Sequence, residues 1–176
     1  SELRRVLRDD GSWWLNLGDT FGDGKQKLMV PHRVAIDLQE SGWTLRSDAV
    51  WNKPNPMPSS VKDRFNETKE FVFHLTPEPD YWFDLDAIRE PHETPPRPRQ
   101  IGGEGAQIGA ANKQVREGRD FSTANHPSGK NPGDILEVTT KPFPDAHFAV
   151  YPPELCETPI KSSCPPKVCG ECGTPY

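Results

Sequence analysis

Hydrophobic spacing divides the first seventeen residues into a helical stripe and an apolar run. Leu3, Val6 and Leu7 follow the i, i+3, i+4 pattern of a helix that Gly11 should end. Ser12–Leu17 is a short, nearly continuous apolar run, which is typical of a strand buried on both faces of a parallel sheet. The chain is therefore predicted to begin with a helix followed by a strand.

A second helix and two further strands are predicted downstream. Apolar residues four positions apart favour a helix that begins at Pro31 and stops before Gly42. Trp43–Trp51 and Phe71–Leu75 alternate between apolar and other residues, as strands do. One side of the first of these should carry Trp43, Leu45, Ala49 and Trp51. We expect all three strand segments to be adjacent in one sheet, with the last antiparallel to the middle one.

The segment between the last two strands, residues 52–69, shows no helical period. A connection of this length inside a compact domain is usually functional or disordered. Arg46–Lys69 carries a local charge of +2 and Arg97–Arg119 a local charge of +3, although the whole chain has a net charge of −5. Clustered cations of this kind are what phosphate contact requires, but ordinary solvated loops are an equally acceptable interpretation.

The amino-acid composition has a low apolar fraction and indicates long irregular segments. Of the 176 residues 33% are hydrophobic and the mean hydropathy is −0.77, with 20 prolines and 14 glycines. Five tryptophans and eight phenylalanines argue against wholesale disorder, because disordered chains are poor in aromatics. No apolar run approaches the eighteen or so residues that span a bilayer, and no basic-then-apolar leader follows Ser1. We expect a soluble, cytoplasmic protein.

Five segments, in this order, resemble one family of enzymes. It is the permuted (beta-type) class of S-adenosylmethionine-dependent DNA amino-methyltransferases, which occurs in restriction-modification systems and phages. The segments are LRRVLRDDGSWWLNLGDT, GWTLRSDAVWNKPNPMPSSVKDR, EFVFHLT, YWFDLDAIREP and AHFAVYPPEL. The resemblance implies an α/β fold: part of a doubly wound, mostly parallel sheet with an antiparallel final strand, plus long loops. It also implies methyl transfer from S-adenosylmethionine to the exocyclic amino group of adenine or cytosine in DNA.

Two motifs that define this family are absent from the sequence. No Ser-, Asp- or Asn-Pro-Pro-Tyr occurs, and no Phe-x-Gly-x-Gly occurs. The first motif holds the target amino group and stacks on a flipped base, and the second lets the backbone approach the cofactor. We therefore assign no catalytic residue, predict that the chain alone is inactive, and expect an internal part of a longer protein. The alternative is a non-catalytic DNA-binding or split-enzyme module that acts with a partner chain.

The resemblance also divides the chain into four regions. Residues 1–79 would be the second half of the catalytic sheet, and residues 80–133 a loop-rich target-recognition region. Residues 134–160 would return to the cofactor side. Residues 161–176 would form a cysteine-rich tail.

Candidate site residues fall in two groups. Asp19 follows a predicted strand end, where open α/β sheets bind ligands, although a simple turn aspartate is the alternative. The resemblance adds His147, Phe148 and Pro152 as neighbours of S-adenosylmethionine, unless they only form a packed turn. It places the following residues of the long loop beside DNA, where cations would contact phosphates: Lys53, Asn55, Lys62 and Arg64.

The cysteine tail contains one Cys-x-x-Cys-Gly motif. Cys169 and Cys172 can supply two of the four ligands of a tetrahedral zinc site. Cys156 or Cys164 could add another ligand. Free thiols and a redox pair are the alternatives.

Overall fold

The computed structural model describes residues 2–92, 126–142 and 150–174. Two compact units make up the chain, one of Ser1–Ala87 with Gly133–Tyr176 and one of Ile88–Pro132. The helices are α1 (Glu2–Val6), α2 (Val30–Glu40) and α3 (Glu157–Ser163), with 3₁₀ turns at Asp23–Lys25, Asp86–Ile88 and Pro153–Cys156. The strands are β1 (Trp13–Leu17), β2 (Thr44–Asn52), β3 (Lys69–Thr76) and β4 (Ile135–Glu137).

The four strands form one mixed sheet in the order β1-β3-β2-β4. β3 lies between β1 and β2 and runs antiparallel to both, so that Leu75 faces Trp13 on one side and Leu45 on the other. β4 joins β2 in parallel. The predicted three-stranded arrangement is confirmed, including the reversed last strand. β1, however, has an antiparallel neighbour and is half-buried along its length, whereas the sequence predicted a fully buried strand of a parallel sheet.

A β-bulge at Arg46 corrects the predicted faces of β2. The pairing with β3 shifts between Leu45 and Ser47, so one extra residue sits in β2 at this point. Because side chains alternate with a period of two, one extra residue moves everything after it to the opposite face. Trp43 and Leu45 therefore pack on one face and Ala49 and Trp51 on the other.

The first face of the sheet packs against α2. Its buried centre consists of Ala35 from α2, Trp43 before β2, and Phe73 and Leu75 of β3. The Trp13 and Trp43 rings lie 5.2 Å apart at an angle of 58°. Pro31 lies in the first turn of α2, where a backbone N–H has no acceptor within the helix. This position agrees with the prediction from sequence.

The second face packs against the 3₁₀ turn that precedes α3. Leu155 from this turn is buried with Ala49, Trp51 and Val72. Each flanking indole has a hydrogen-bond acceptor: Trp51 Nε1 donates to the Val138 carbonyl at 2.8 Å, and Trp14 Nε1 donates to Ser163 Oγ at 3.1 Å. The chain after residue 133 therefore completes the core begun by residues 1–87.

His74 is buried on this second face with only 2% of its surface exposed. Its ring stacks on Trp14 with centroids 4.1 Å apart, and its Nε2 lies 2.9 Å from Ser12 Oγ. The Tyr81 and Phe83 rings lie 5.3 Å and 5.9 Å away. Burial, with a smaller contribution from the charge of Arg46, lowers the pKa of His74 from 6.5 to about 4. The imidazole is therefore neutral at pH 7.

The second unit is held by a short bridge between Glu90 and Lys130. Gly129 has a φ of +114°, and a Cβ placed there would lie 2.2 Å from the Glu90 carbonyl oxygen, so only glycine fits at this position.

Among the helices of the described residues, none is long and apolar enough to cross a bilayer.

Candidate nucleic-acid interface

Residues 53–68 connect β2 to β3 and carry all four residues predicted to face DNA. The base of this loop continues the strand pairing, because the Lys53 N–H donates to the Thr68 carbonyl at 2.8 Å. The Lys53 ammonium forms an ion pair with Glu70 and lies 4.4 Å from the centroid of the Trp51 ring. Its side chain is 20% exposed. Lys53 therefore anchors the start of the loop to the sheet.

Asn55 ties the loop to the segment that follows β4. Its Nδ2 donates to the Thr140 carbonyl at 3.1 Å, and its Oδ1 accepts from the Thr140 N–H at 2.9 Å. Thr140 Oγ1 lies 3.1 Å from the same Oδ1. The amide side chain thus has its main hydrogen bonds within the protein, and its contribution is to hold the loop in place.

The outer part of the loop carries Lys62 and Arg64. Lys62 is exposed and makes no ion pair or hydrogen bond within the described part of the chain. The Arg64 guanidinium lies 4.0 Å from the Phe21 ring centroid and 3.8 Å from the Glu67 carboxylate. Arg64 Nη1 also donates to the Phe65 carbonyl at 3.3 Å. One cation is therefore free for an external anion, and the other is held in a fixed position on an aromatic surface.

The acidic residues of the loop are paired with lysines of the preceding loop. Lys25 forms an ion pair with Asp63, and Lys27 donates to Glu67 at 2.8 Å. These pairs offset the two negative charges closest to Lys62 and Arg64. A surface that would otherwise repel phosphate is left with a positive balance.

The sequence analysis assigns no role to two large apolar side chains in the same loop. Phe65 is 95% exposed and Met57 is 88% exposed. The available signal was an aromatic residue directly after Lys62-Asp63-Arg64, in a loop whose other residues are polar or proline except for Met57 and Val61.

Asp19 lies just past the end of β1 and caps the start of α2. Its Oδ1 accepts from the N–H groups of Thr20 at 2.9 Å and Val30 at 3.0 Å. Its Oδ2 is buried, accepts no hydrogen bond, and lies 3.9 Å from the Lys27 ammonium. The carboxylate thus organises the loop between β1 and α2 and keeps one oxygen available.

Of the other three cofactor candidates, one lies within the described residues. Pro152 is buried and begins the 3₁₀ turn at Pro153–Cys156, where its carbonyl accepts from the Leu155 N–H at 3.0 Å. His147 and Phe148 lie outside the described residues. Of the two predicted cofactor neighbours that the structure describes, Asp19 presents a buried side-chain oxygen without a hydrogen-bond donor.

Cys169 and Cys172 lie in a tight turn near the end of the chain. The Gly173 N–H donates to the Cys169 carbonyl at 2.9 Å, and the Cys169 N–H donates to the Thr174 carbonyl at 2.9 Å. The Thr174 hydroxyl, 3.2 Å from Cys172 Sγ, is the main reason that the pKa of this thiol falls to about 7. Within residues 2–92, 126–142 and 150–174, no group of three or more potential metal ligands is found.

Comparison with known proteins identifies the family. The N6_N4_Mtase family model, described as DNA methylase, matches residues 1–169. The chain is 34% identical over 194 residues to the Type II methyltransferase M.Cfr9I of Citrobacter freundii, a match that covers 94% of this chain and 54% of that protein. This chain belongs to the DNA methylase family. The resemblance inferred from the five sequence segments is confirmed.

Further relatives of this DNA methylase family member agree with the assignment. The chain is 47% identical over 109 residues to the Type II methyltransferase M.SfiI of Streptomyces fimbriatus, covering 53% of this chain and 26% of that protein. The solved structure of PvuII DNA methyltransferase (cytosine-N4-specific) superposes with a TM-score of 0.60 at 17% identity. That match covers 92% of this chain and 50% of the other, and it shows a shared methyltransferase fold of the α/β class. The chain thus spans about half the length of M.Cfr9I.

Proposed function

We propose that this chain is part of a site-specific DNA methyltransferase that transfers a methyl group from S-adenosylmethionine to the exocyclic amino group of adenine or cytosine. The observation that carries the proposal is the match over 94% of this chain to a Type II methyltransferase. Support for the amino group as acceptor comes from a structural neighbour whose title names cytosine N4. A restriction-modification role and a cytoplasmic location belong to the same proposal.

The proposed DNA-facing surface is the loop at residues 53–68. Lys62 and Arg64 would contact phosphates, because Lys62 is exposed and the nearby acidic residues are paired with Lys25 and Lys27. Lys53 and Asn55, whose side chains have partners within the protein, would position the loop. Residues 80–133, of which 93–125 lie outside the described residues, would form the target-recognition region.

The proposed cofactor side includes Asp19, His147, Phe148 and Pro152. S-adenosylmethionine would supply the methyl group at this site. Support comes from the Asp19 Oδ2, a buried oxygen without a hydrogen-bond donor at the end of β1, where a bound molecule could provide one. The four described strands would then be one part of a larger, doubly wound sheet.

No catalytic residue is assigned within this chain. The sequence contains neither a Pro-Pro-Tyr motif preceded by Ser, Asp or Asn nor a Phe-x-Gly-x-Gly motif. The 176-residue chain alone is therefore expected to transfer no methyl group and to bind S-adenosylmethionine only weakly. In the proposed enzyme these motifs would come from another part of the intact protein or from a partner chain.

A zinc site in the cysteine tail is a separate part of the proposal. Cys169 and Cys172 would supply two thiolates, which the turn at Gly173 and the lowered pKa of the Cys172 thiol favour. The remaining ligands would lie outside the described residues. Metal analysis of the intact protein should find one zinc, and the double variant Cys169→Ser/Cys172→Ser should lose it. Equal zinc content in both proteins would exclude these two ligands.

The activity is tested by incubating the intact gene product with tritiated S-adenosylmethionine and mixed-sequence DNA. We expect label in the DNA with the intact protein, and none above background with the 176-residue chain. Label from the 176-residue chain alone would show that the active site is misplaced. No label from the intact protein would favour the non-catalytic DNA-binding or split-enzyme alternative, and adding the proteins encoded by neighbouring genes would separate these two cases.

A further inference from the structure

Phe65 and Met57 are exposed apolar side chains on the loop at residues 53–68. They are the two most exposed large hydrophobic side chains in the part of the chain that the structure describes. Asn66, the residue after Phe65, donates its Nδ2 to the Met57 carbonyl at 3.2 Å, which draws the two halves of the loop together. Single exposed hydrophobic residues are ordinary on protein surfaces, but both of these lie on the loop that is proposed to face DNA, which suggests a contact site.

The loop around Phe65 is held by contacts with other parts of the protein. The ion pairs of Asp63 with Lys25 and of Glu67 with Lys27 fix both flanks of Phe65. Arg64 stacks on Phe21 and donates to the Phe65 carbonyl. Proline at positions 54, 56 and 58 restricts the other half of the loop. The loop that carries Phe65 is therefore ordered before binding, and binding has less conformational freedom to remove from it.

The charges around Phe65 indicate what kind of partner it would meet. Lys62 and Arg64 lie within three positions of Phe65, and Lys62 is unpaired within the described residues. Lysine is depleted in the cores of protein–protein interfaces, so the unpaired Lys62 argues against a protein partner. Cations beside an apolar wedge are instead the combination with which proteins hold phosphates and unstack a base step.

We propose that Phe65, supported by Met57, is a wedge that enters the DNA base stack next to phosphates held by Lys62 and Arg64. This inference rests on the proposed function, because an enzyme that modifies an exocyclic amino group must first extrude the base from the duplex. The side chain would occupy part of the space that the unstacked base leaves. Phe65 is thus a positioning residue that acts on the DNA, not on the reacting atoms.

The test uses the intact protein and a duplex carrying the sequence that it methylates, with 2-aminopurine at the target position. A second duplex has a mismatch there, so its base is already unstacked. For Phe65→Ala we expect the fluorescence increase on binding to be lost. Affinity should fall about tenfold for the paired duplex and clearly less for the mismatched one. The slope of log affinity against log salt should stay the same, since no phosphate contact is removed.

Three further variants make the result specific. Phe65→Leu should retain most of the fluorescence increase, because it is still apolar, and Met57→Ala should reduce it partially. Ile36→Ala removes another exposed hydrophobic side chain, on α2 (52% exposed), and should bind both duplexes as the wild type does.

The proposed role of Phe65 as a wedge is wrong if Phe65→Ala binds both duplexes with the affinity of the wild type. It is also wrong if the affinity falls equally for both duplexes and the melting temperature drops, because Phe65 would then pack against another part of the protein. A wild-type protein that methylates no DNA would refute the proposed function and the wedge together. A protein that methylates DNA but is unaffected by Phe65→Ala would refute only the wedge.

Discussion

Lys27 donates a hydrogen bond to Glu67 at 2.8 Å across 40 residues of sequence, and the same ammonium lies 3.9 Å from Asp19. Glu67 in turn lies 3.8 Å from Arg64. The carboxylate proposed for the cofactor side and a cation proposed for the DNA side are therefore linked through one lysine. The surface of this member of the DNA methylase family is arranged so that both candidate sites share a single charged framework.

Lys62 and Arg64 provide the first prediction. The double variant Lys62→Ala/Arg64→Ala of the intact protein should bind DNA more weakly, while its affinity for S-adenosylmethionine stays nearly the same. Each lost phosphate contact should flatten the slope of log affinity against log salt by about 0.9, as measured by fluorescence anisotropy at several salt concentrations. Arg5→Ala removes another exposed cation, on α1 outside this loop, and is the control. Unchanged affinity and slope would make this loop an ordinary solvated connection.

Asn55 should stabilise the loop without contacting DNA itself. Asn55→Ala removes its bonds to Thr140 and should lower the free energy of unfolding by about 1 kcal/mol, a modest cost because the site is exposed. Amide hydrogen exchange in residues 53–68 should become faster, whereas Lys62→Ala should leave it unchanged. Equal exchange in wild type and Asn55→Ala would show that other contacts hold the loop.

His74 predicts a specific pH dependence of stability. Its pKa is about 4 in the folded protein against 6.5 as the reference, so between these values the unfolded state binds a proton that the folded state does not. The stabilisation is complete above pH 6.5 and is lost as the pH falls towards 4. It amounts to about 3 kcal/mol at most. Urea unfolding of wild type and His74→Gln at several pH values measures it, and the variant should show a shallower fall. Parallel curves would assign the effect to other groups.

Phe73 should be among the most costly positions to truncate. The side chain is 1% exposed at the centre of the face that packs on α2, and Phe73→Ala should cost about 3–5 kcal/mol of stability. Phe83→Ala, at a position 39% exposed, should cost clearly less. Calorimetry of both variants makes the comparison, and similar losses would contradict the assigned core.

The sequence predicts the strands well, because β1 is a short apolar run and the apolar residues of β2 and β3 largely alternate with other residues. It predicts the antiparallel return of β3 through the family resemblance. The bulge at Arg46 has no such signal, since the shift between Leu45 and Ser47 depends on how β2 pairs with β3 and not on β2 alone. That is why Ala49 and Trp51 were placed on the wrong face.

The candidate site shows the same limit. The charged residues of the loop are visible in the sequence, but the partners of its acidic residues are not. Lys25 and Lys27 precede Asp63 and Glu67 by 38 and 40 residues. The exposure of Phe65 is equally hidden, since an aromatic residue in a loop is as compatible with a buried anchor as with a free side chain. Only the folded loop distinguishes the two.

The central claim is that the intact protein methylates an exocyclic amino group in DNA. The most direct measurement is mass spectrometry of the nucleosides released from DNA that was incubated with the intact protein and S-adenosylmethionine. We expect N4-methylcytosine or N6-methyladenine, found only when the protein and S-adenosylmethionine are both present. Methylation at carbon 5 of cytosine, or no modified nucleoside at all, would contradict it.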